Sequence, residues 1–67
     1  MQKKINIAVV FGGESPEHNV SIESGRTICR EIDAGLYNLF CIYISSKGVW
    51  RLIDSKKFIN KNIISAS

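Results

Sequence analysis

Apolar positions fall into distinct spacings along this chain. From Ile5 to Phe11 the sequence INIAVVF is nearly continuous in apolar character, rich in β-branched residues, and closed by Gly12-Gly13. Such a run predicts a strand covered on both faces, as in a parallel sheet. Further on the spacing changes. Val20, Ile28 and Ile32 recur four or eight apart with Ser24 on the same stripe, which predicts a helix over about 20–32 with that stripe toward the core and Glu23, Arg26, Arg30 and Glu31 mostly elsewhere. Ser15 and Ser21 are both candidate N-caps, and Pro16 suits a first-turn position where its missing N–H costs nothing. Asp33-Ala34-Gly35 supplies the stop, with Gly35 suited to a left-handed C-cap.

Tyr37 to Ile44, YNLFCIYI, is a second aromatic and β-branched strand. Joined to the first by a helix, it is expected to run parallel to it through a right-handed crossover, giving a βαβ unit. Ser45-Ser46-Lys47-Gly48 reads as a hairpin turn into Val49–Ile53, whose alternation suits a half-exposed edge strand. Ser55 to Asn60 fits a short helical turn, and Asn62 to Ser67 carries Ile63-Ile64 with no cap, turn or partner in view. The fold class is therefore α/β: a βαβ unit of a parallel sheet plus an edge hairpin strand. Two strands that want cover on both faces are supplied with one helix, so one apolar sheet face is left bare, a contact surface or an aggregation liability. The expectation is a chain forming the first part of something larger, whose later segments return to cover the sheet.

Composition adds limits. Sixty-seven residues make one small domain at most, and a chain of that size hides only about 60% of the surface it exposes when unfolded. With 45% hydrophobic and 22% charged residues the composition is globular, not disordered. The net charge of +3 is mild, and Lys3-Lys4 at the start and Lys56, Lys57 and Lys61 near the end read as solvated edges with no nucleic-acid module beside them. Cys29 and Cys41 have neither CxxC spacing nor a His partner and read as buried thiols. The run from Ile5 to Phe11 is too short to span a membrane and has no cleavage site after it, so a cytoplasmic location is expected, with no membrane partner. In that setting the sequon Asn19-Val20-Ser21 is a chance match.

The chemistry lies in FGGESPEHNVS, residues 11–21, between the first strand and the helix. Glycine turns at such junctions commonly cradle phosphate. A dinucleotide fingerprint, however, needs Gly-x-Gly-x-x-Gly, whereas only the adjacent pair Gly12-Gly13 is present and Gly25 lies far into the helix. The sign is also wrong for phosphate: Glu14 and Glu17 sit at the helix mouth, where the dipole favours ionised carboxylates. Ionised carboxylates at a concave junction suit an ammonium group.

The string Val10-Phe11-Gly12-Gly13 followed by Ser15, Glu17-His18, Val20-Ser21 and Ser24 resembles the amino-terminal motif of D-alanine–D-alanine ligases, including the related D-alanine–D-lactate ligases. Similarity continues through Ile32-Asp33, Tyr37, the strand ending at Ile44 and Gly48-Val49-Trp50, covering roughly residues 3–54. Asn19 stands where the family usually has Asp or Glu, and Pro16 where Ala or Glu is common. The resemblance implies an incomplete pre-ATP-grasp, Rossmann-like domain over residues 1–67, with the ATP-grasp domains outside the chain. It implies a homodimeric parent enzyme that joins two D-alanines for peptidoglycan precursor synthesis, with ATP and magnesium bound by those later domains. By the same resemblance Glu17 is the catalytic-site residue that faces the ammonium of the first D-alanine, and Val20 lies close to the same substrate. The family's Gly-Glu-Asp-Gly signature, ATP-grasp lysines, magnesium carboxylates and intermediate-stabilising arginine have no counterpart in these residues, so the chain alone is expected to be inactive.

Each residue also has a plainer role. Glu17 would serve simply as a helix-dipole carboxylate worth about 0.3–1 kcal/mol. Glu14 reads as a polar turn residue, His18 as a maker of structural hydrogen bonds before a base, and Ser21 as a cap. Ser15 and Ser24 read as caps or small packing residues, and Trp50 as packing with an interdomain role as the alternative. Two other function classes stand beside the ligase segment: a nucleotide-binding module of another ATP-grasp enzyme, which phosphate binding at the turn would favour, and a small interaction domain whose bare sheet face docks a partner.

Overall fold

The computed structural model describes residues 3–66. Its elements are β1 (Ile5–Gly12), α1 (His18–Glu31), β2 (Tyr37–Ile44), β3 (Trp50–Ile53) and α2 (Ser55–Lys61). The strands form one sheet in the order β1-β2-β3. β1 and β2 pair in parallel from Ile5↔Tyr37 to Gly12↔Ile44, and β3 returns antiparallel with Cys41↔Ile53 and Ile44↔Trp50. The α/β expectation, the parallel pair and the hairpin edge strand are all present.

Register sorts the side chains, because successive residues of a strand point to opposite faces. Phe11, Cys41 and Ile53 fall on one face and, with Cys29 of α1 and Phe58 of α2, make the buried core; Val9, Ile22, Leu39, Tyr43 and Ile59 pack around it. Both helices therefore cover the same side. The opposite face carries Val10, Phe40, Leu52 and Trp50, all exposed. The bare apolar face expected from one helix per two strands persists even with a second helix, since α2 adds its cover where α1 already lies. Phe58 is fully buried, with its ring stacked on Phe11 at 4.5 Å and 3° between planes.

The core face of α1 differs from the one expected. Val20 and Ile28 are 60% and 53% exposed and Ser24 is exposed, whereas Gly25 and Cys29 are buried, flanked by half-buried Ser21, Ile22, Arg26 and Ile32. The reason is proximity. Gly25 lets the helix backbone approach the Phe11 side chain, which turns the stripe of small residues inward and the branched apolar stripe outward. Arg26 lies at the packed side, its Nε–H donating to Phe58 O at 3.1 Å.

Helix boundaries also move. α1 starts at His18, so Pro16 is not in its first turn but at the second position of a β-turn closed by His18 N–H to Ser15 O at 3.0 Å, a position its fixed φ suits. Neither Ser15 nor Ser21 caps the helix: Glu17 is the N-cap residue, without a side-chain bond. At the other end the chain leaves α1 through extended Ile32, and Gly35 is not in the left-handed region. Asp33 makes the turn instead, its carboxylate accepting from Gly35 N–H at 2.7 Å and its carbonyl from Leu36 and Tyr37 N–H.

The tail is better fastened than its sequence suggests. Asp54 caps α2 by accepting from Lys57 N–H at 3.0 Å, and Asn62 ends it in the left-handed conformation at φ 53°. Ser65 O then accepts from Asp54 N–H at 2.9 Å, and Ala66 bridges Ile53 across the edge of β3. Ser67 lies outside the described residues. No described helix is long and apolar enough to cross a membrane.

Candidate functional site

The β1–α1 turn lies at the carboxyl ends of the two parallel strands, where open α/β sheets place their ligands. Gly12 and Gly13 are both in the left-handed region, at φ 94° and 103°. Gly12 is also crowded: a Cβ there would run into Ile44 O of the neighbouring strand, whereas Gly13 faces open space. Gly13 N–H donates to that same Ile44 carbonyl at 2.8 Å, so the turn stays paired to β2 for one residue past the strand.

Three side chains hold the turn from within. Ser21 Oγ accepts from Gly12 N–H at 3.0 Å, tying the first turn of α1 back to the end of β1. Ser15 Oγ accepts from Glu17 N–H at 3.0 Å. His18 reaches furthest, with Nδ1 at 2.6 Å from Gly13 O and Nε2 at 3.0 Å from the Tyr43 hydroxyl. A carbonyl only accepts, so Nδ1 carries the proton in the neutral ring and Nε2 accepts from Tyr43 O–H. The rings meet edge to face at 5.6 Å. His18 is therefore a bracket between the turn and the central strand, the structural role its position suggested.

Two carboxylates remain at the mouth. Glu14 lies over the β2–β3 turn, where its carboxylate borders Gly48 at a distance that leaves little room for a Cβ. Glu17 is exposed, and among the described residues no hydrogen bond or ion pair engages its carboxylate; the ion pair recorded on α1 joins Glu23 to Arg26 at 3.8 Å. Val20 follows three residues later, so the two side chains share one side of the first helical turn, both exposed. The arrangement offers a free negative charge with an apolar neighbour, on a backbone whose position is fixed by the surrounding bonds. Grooves of about 420 and 400 Å³, lined by Leu39, Phe40 and Leu52 and by Lys4, Arg30 and Lys56 among others, do not include these turn residues.

Residues 6–66 match the family model described as the D-ala D-ala ligase N-terminus. The chain belongs to the D-alanine–D-alanine ligase family. It is 43% identical over 54 residues to a D-alanine–D-alanine ligase of Coxiella burnetii, and 39% identical over 51 residues to a putative D-alanine–D-lactate ligase of Streptomyces coelicolor. These alignments cover 81% and 76% of the chain but only 14% and 15% of the relatives' lengths. Among solved structures, the Coxiella burnetii D-alanine–D-alanine ligase superposes with a TM-score of 0.82 at 39% identity, over 87% of this chain and 17% of that one. The VanG D-Ala:D-Ser ligase of Enterococcus faecalis gives 0.76 at 30% identity, over 88% and 18%.

Within this ligase-family segment, Glu17 and Val20 come together at the helix mouth while Glu14 is drawn off toward the hairpin. Tyr43 was not anticipated. It stands 25 residues from His18, and only the parallel register, which sets Phe11 beside Tyr43, brings it under the turn. No local pattern announces such a contact. The Ser21 bond to Gly12 was equally hidden, because a serine near a helix start looks like a cap from sequence.

Proposed function

We propose that this chain is the first-substrate end of an ATP-dependent ligase that joins two D-alanines in the cytoplasm for peptidoglycan precursor synthesis. Glu17 receives the ammonium of the first D-alanine, and Val20 lines the same subsite. The supporting observation is the Glu17 carboxylate itself: charged, exposed and unengaged among the described residues, at the N-cap of α1 on a turn fixed by Gly12, Ser15, His18 and Ser21. A pre-fixed backbone spares the ordering cost of binding. The positive end of the helix dipole attracts a carboxylate here without consuming its hydrogen-bonding capacity.

ATP and Mg²⁺ do not fit the groups present. Among the described residues no group of three or more His, Cys, Asp or Glu could hold a metal, and the glycine turn faces a ligand with carboxylates, which repel phosphate. We therefore assign nucleotide, metal and the phosphoryl chemistry to segments outside these residues. The nucleotide-module alternative is disfavoured by the Glu17 carboxylate at the mouth of that turn.

The test is Glu17→Gln in a ligase carrying this segment, which keeps the shape and removes the charge. A charge-assisted hydrogen bond is worth about 1.5–3 kcal/mol, so binding at the first D-alanine subsite weakens by about 10- to 150-fold while ATP affinity stays nearly constant. Glu14→Gln is the control for loss of negative charge at the helix mouth and has a much smaller effect. Equal, small effects of the two substitutions would leave Glu17 as a dipole residue only.

A further inference from the structure

The chain has two cysteines, and the fold brings them together. Cys29, near the end of α1, and Cys41, in the middle of β2, have their Sγ atoms 3.3 Å apart and are 2% and 0% exposed. Both are free thiols. Cys41 pairs with Val9 on one side and Ile53 on the other, so the contact lies at the centre of the sheet's covered face, where the helix meets the strand. A disulfide needs the sulfurs about 1.2 Å closer than this.

We propose that Cys29 and Cys41 are a dithiol–disulfide couple that closes under peroxide and staples α1 to the central strand. In a state with α1 transiently lifted, the Cys29 thiolate attacks one oxygen of hydrogen peroxide, cleaving the O–O bond to give a sulfenic acid and hydroxide, and reclosure returns that sulfur to Cys41. Cys41, deprotonated, then attacks the Cys29 sulfur and displaces the second hydroxide; both hydroxides take up the two thiol protons. The balance is two thiols and one peroxide to one disulfide and two waters. Burial sets the conditions. With both sulfurs shielded and their thiols held protonated, the closed protein resists oxidation, and reaction passes through states in which α1 lifts from the sheet. Once closed, the bond holds α1, which begins at Glu17 and His18, against the strand that also carries Tyr43.

The experiment exposes the full-length protein containing this segment to hydrogen peroxide under native conditions, quenches with an alkylating agent in denaturant, and maps the peptides. The expected product joins the Cys29 and Cys41 peptides with a mass loss of about 2 Da, reverses with dithiothreitol, and forms several-fold faster in sub-denaturing urea. Cys29→Ser and Cys41→Ser each abolish the link; should either fail to fold, the wild-type map still decides. The proposal is overturned if both thiols are alkylated in full after peroxide treatment, or if either proceeds to sulfinic acid with no cross-link.

Discussion

A Cβ built on Gly25 would lie 2.8 Å from both Cβ and Cγ of Phe11, so α1 meets β1 at a point where no side chain fits between them. Phe11 cannot withdraw easily. The contacting atoms are the root of its side chain, and its ring is held against Phe58. Gly25→Ala gains about 1 kcal/mol of helix propensity, but overpacking a filled core costs about 1–3 kcal/mol. The second effect wins because the nearest atoms include Phe11 Cβ, which no change of rotamer moves. Urea denaturation is expected to show a net loss of stability, whereas Ser24→Ala on the exposed side of the helix gains a few tenths of a kcal/mol. An unchanged or raised midpoint for Gly25→Ala would mean that the helix can shift off β1.

That contact also explains what the sequence hid. The strands were legible because their apolar runs end at turn residues, and Tyr37–Ile44 is observed at the bounds its pattern set. The bare face was legible because it follows from counting helices against strands. The rotation of α1 was not: periodicity weighs the large apolar residues Val20 and Ile28, while the determinant was a glycine whose value lies in what it lacks. The same holds for the tail, where Asn62 and Ala66 act through backbone geometry and pairing that no hydrophobic pattern encodes. At the site, the position of Glu17 at the helix mouth was legible from the sequence, but the fixing of the turn that carries it, by Tyr43 through His18, depended on a register across 25 residues.

Gly12 and Gly13 separate two reasons for glycine. Both have positive φ, which costs an ordinary residue about 1–2 kcal/mol, yet only Gly12 also abuts Ile44 O. Gly13→Ala should therefore lower stability by about 1–2 kcal/mol with the turn intact. Gly12→Ala should cost clearly more, because the added methyl must push the strands apart where Gly13 N–H bonds Ile44 O. Thermal melts compare the two; equal losses would show that φ alone matters.

The two faces of the sheet predict opposite mutational behaviour in the 67-residue chain. Phe58 is fully buried against Phe11, and truncation of such a ring costs about 3–5 kcal/mol. Leu52 is 47% exposed on the uncovered face, so Leu52→Ser should change stability by about 0.5 kcal/mol or less while reducing the binding of a dye that reports exposed apolar surface. A monomeric chain that binds no such dye would contradict the uncovered face.

The thiol pair gives the protein a sensitivity to alkali. Burial pushes the Cys29 thiol above its ordinary 9.0, and burial, the hydrogen bond with Cys29 and the charge a Cys29 thiolate would carry push Cys41 up to about 12. The folded state therefore keeps a proton that the unfolded chain has already released above pH 9. With the unfolded state binding fewer protons, stability falls as pH rises, by at most about 1.4 kcal/mol per pH unit for each group. The stabilisation is present in full below pH 9 and is lost progressively between 9 and 12. Under reducing conditions, urea midpoints taken across that window should decline more steeply for the wild type than for Cys41→Ala. That variant starts lower because of the cavity it leaves, but it has lost the Cys41 titration. Slopes, not absolute stabilities, make the comparison, since every group common to the two proteins contributes to both. Parallel declines in the two would mean that α1 opens early enough to let both thiols ionise as they do in the unfolded chain.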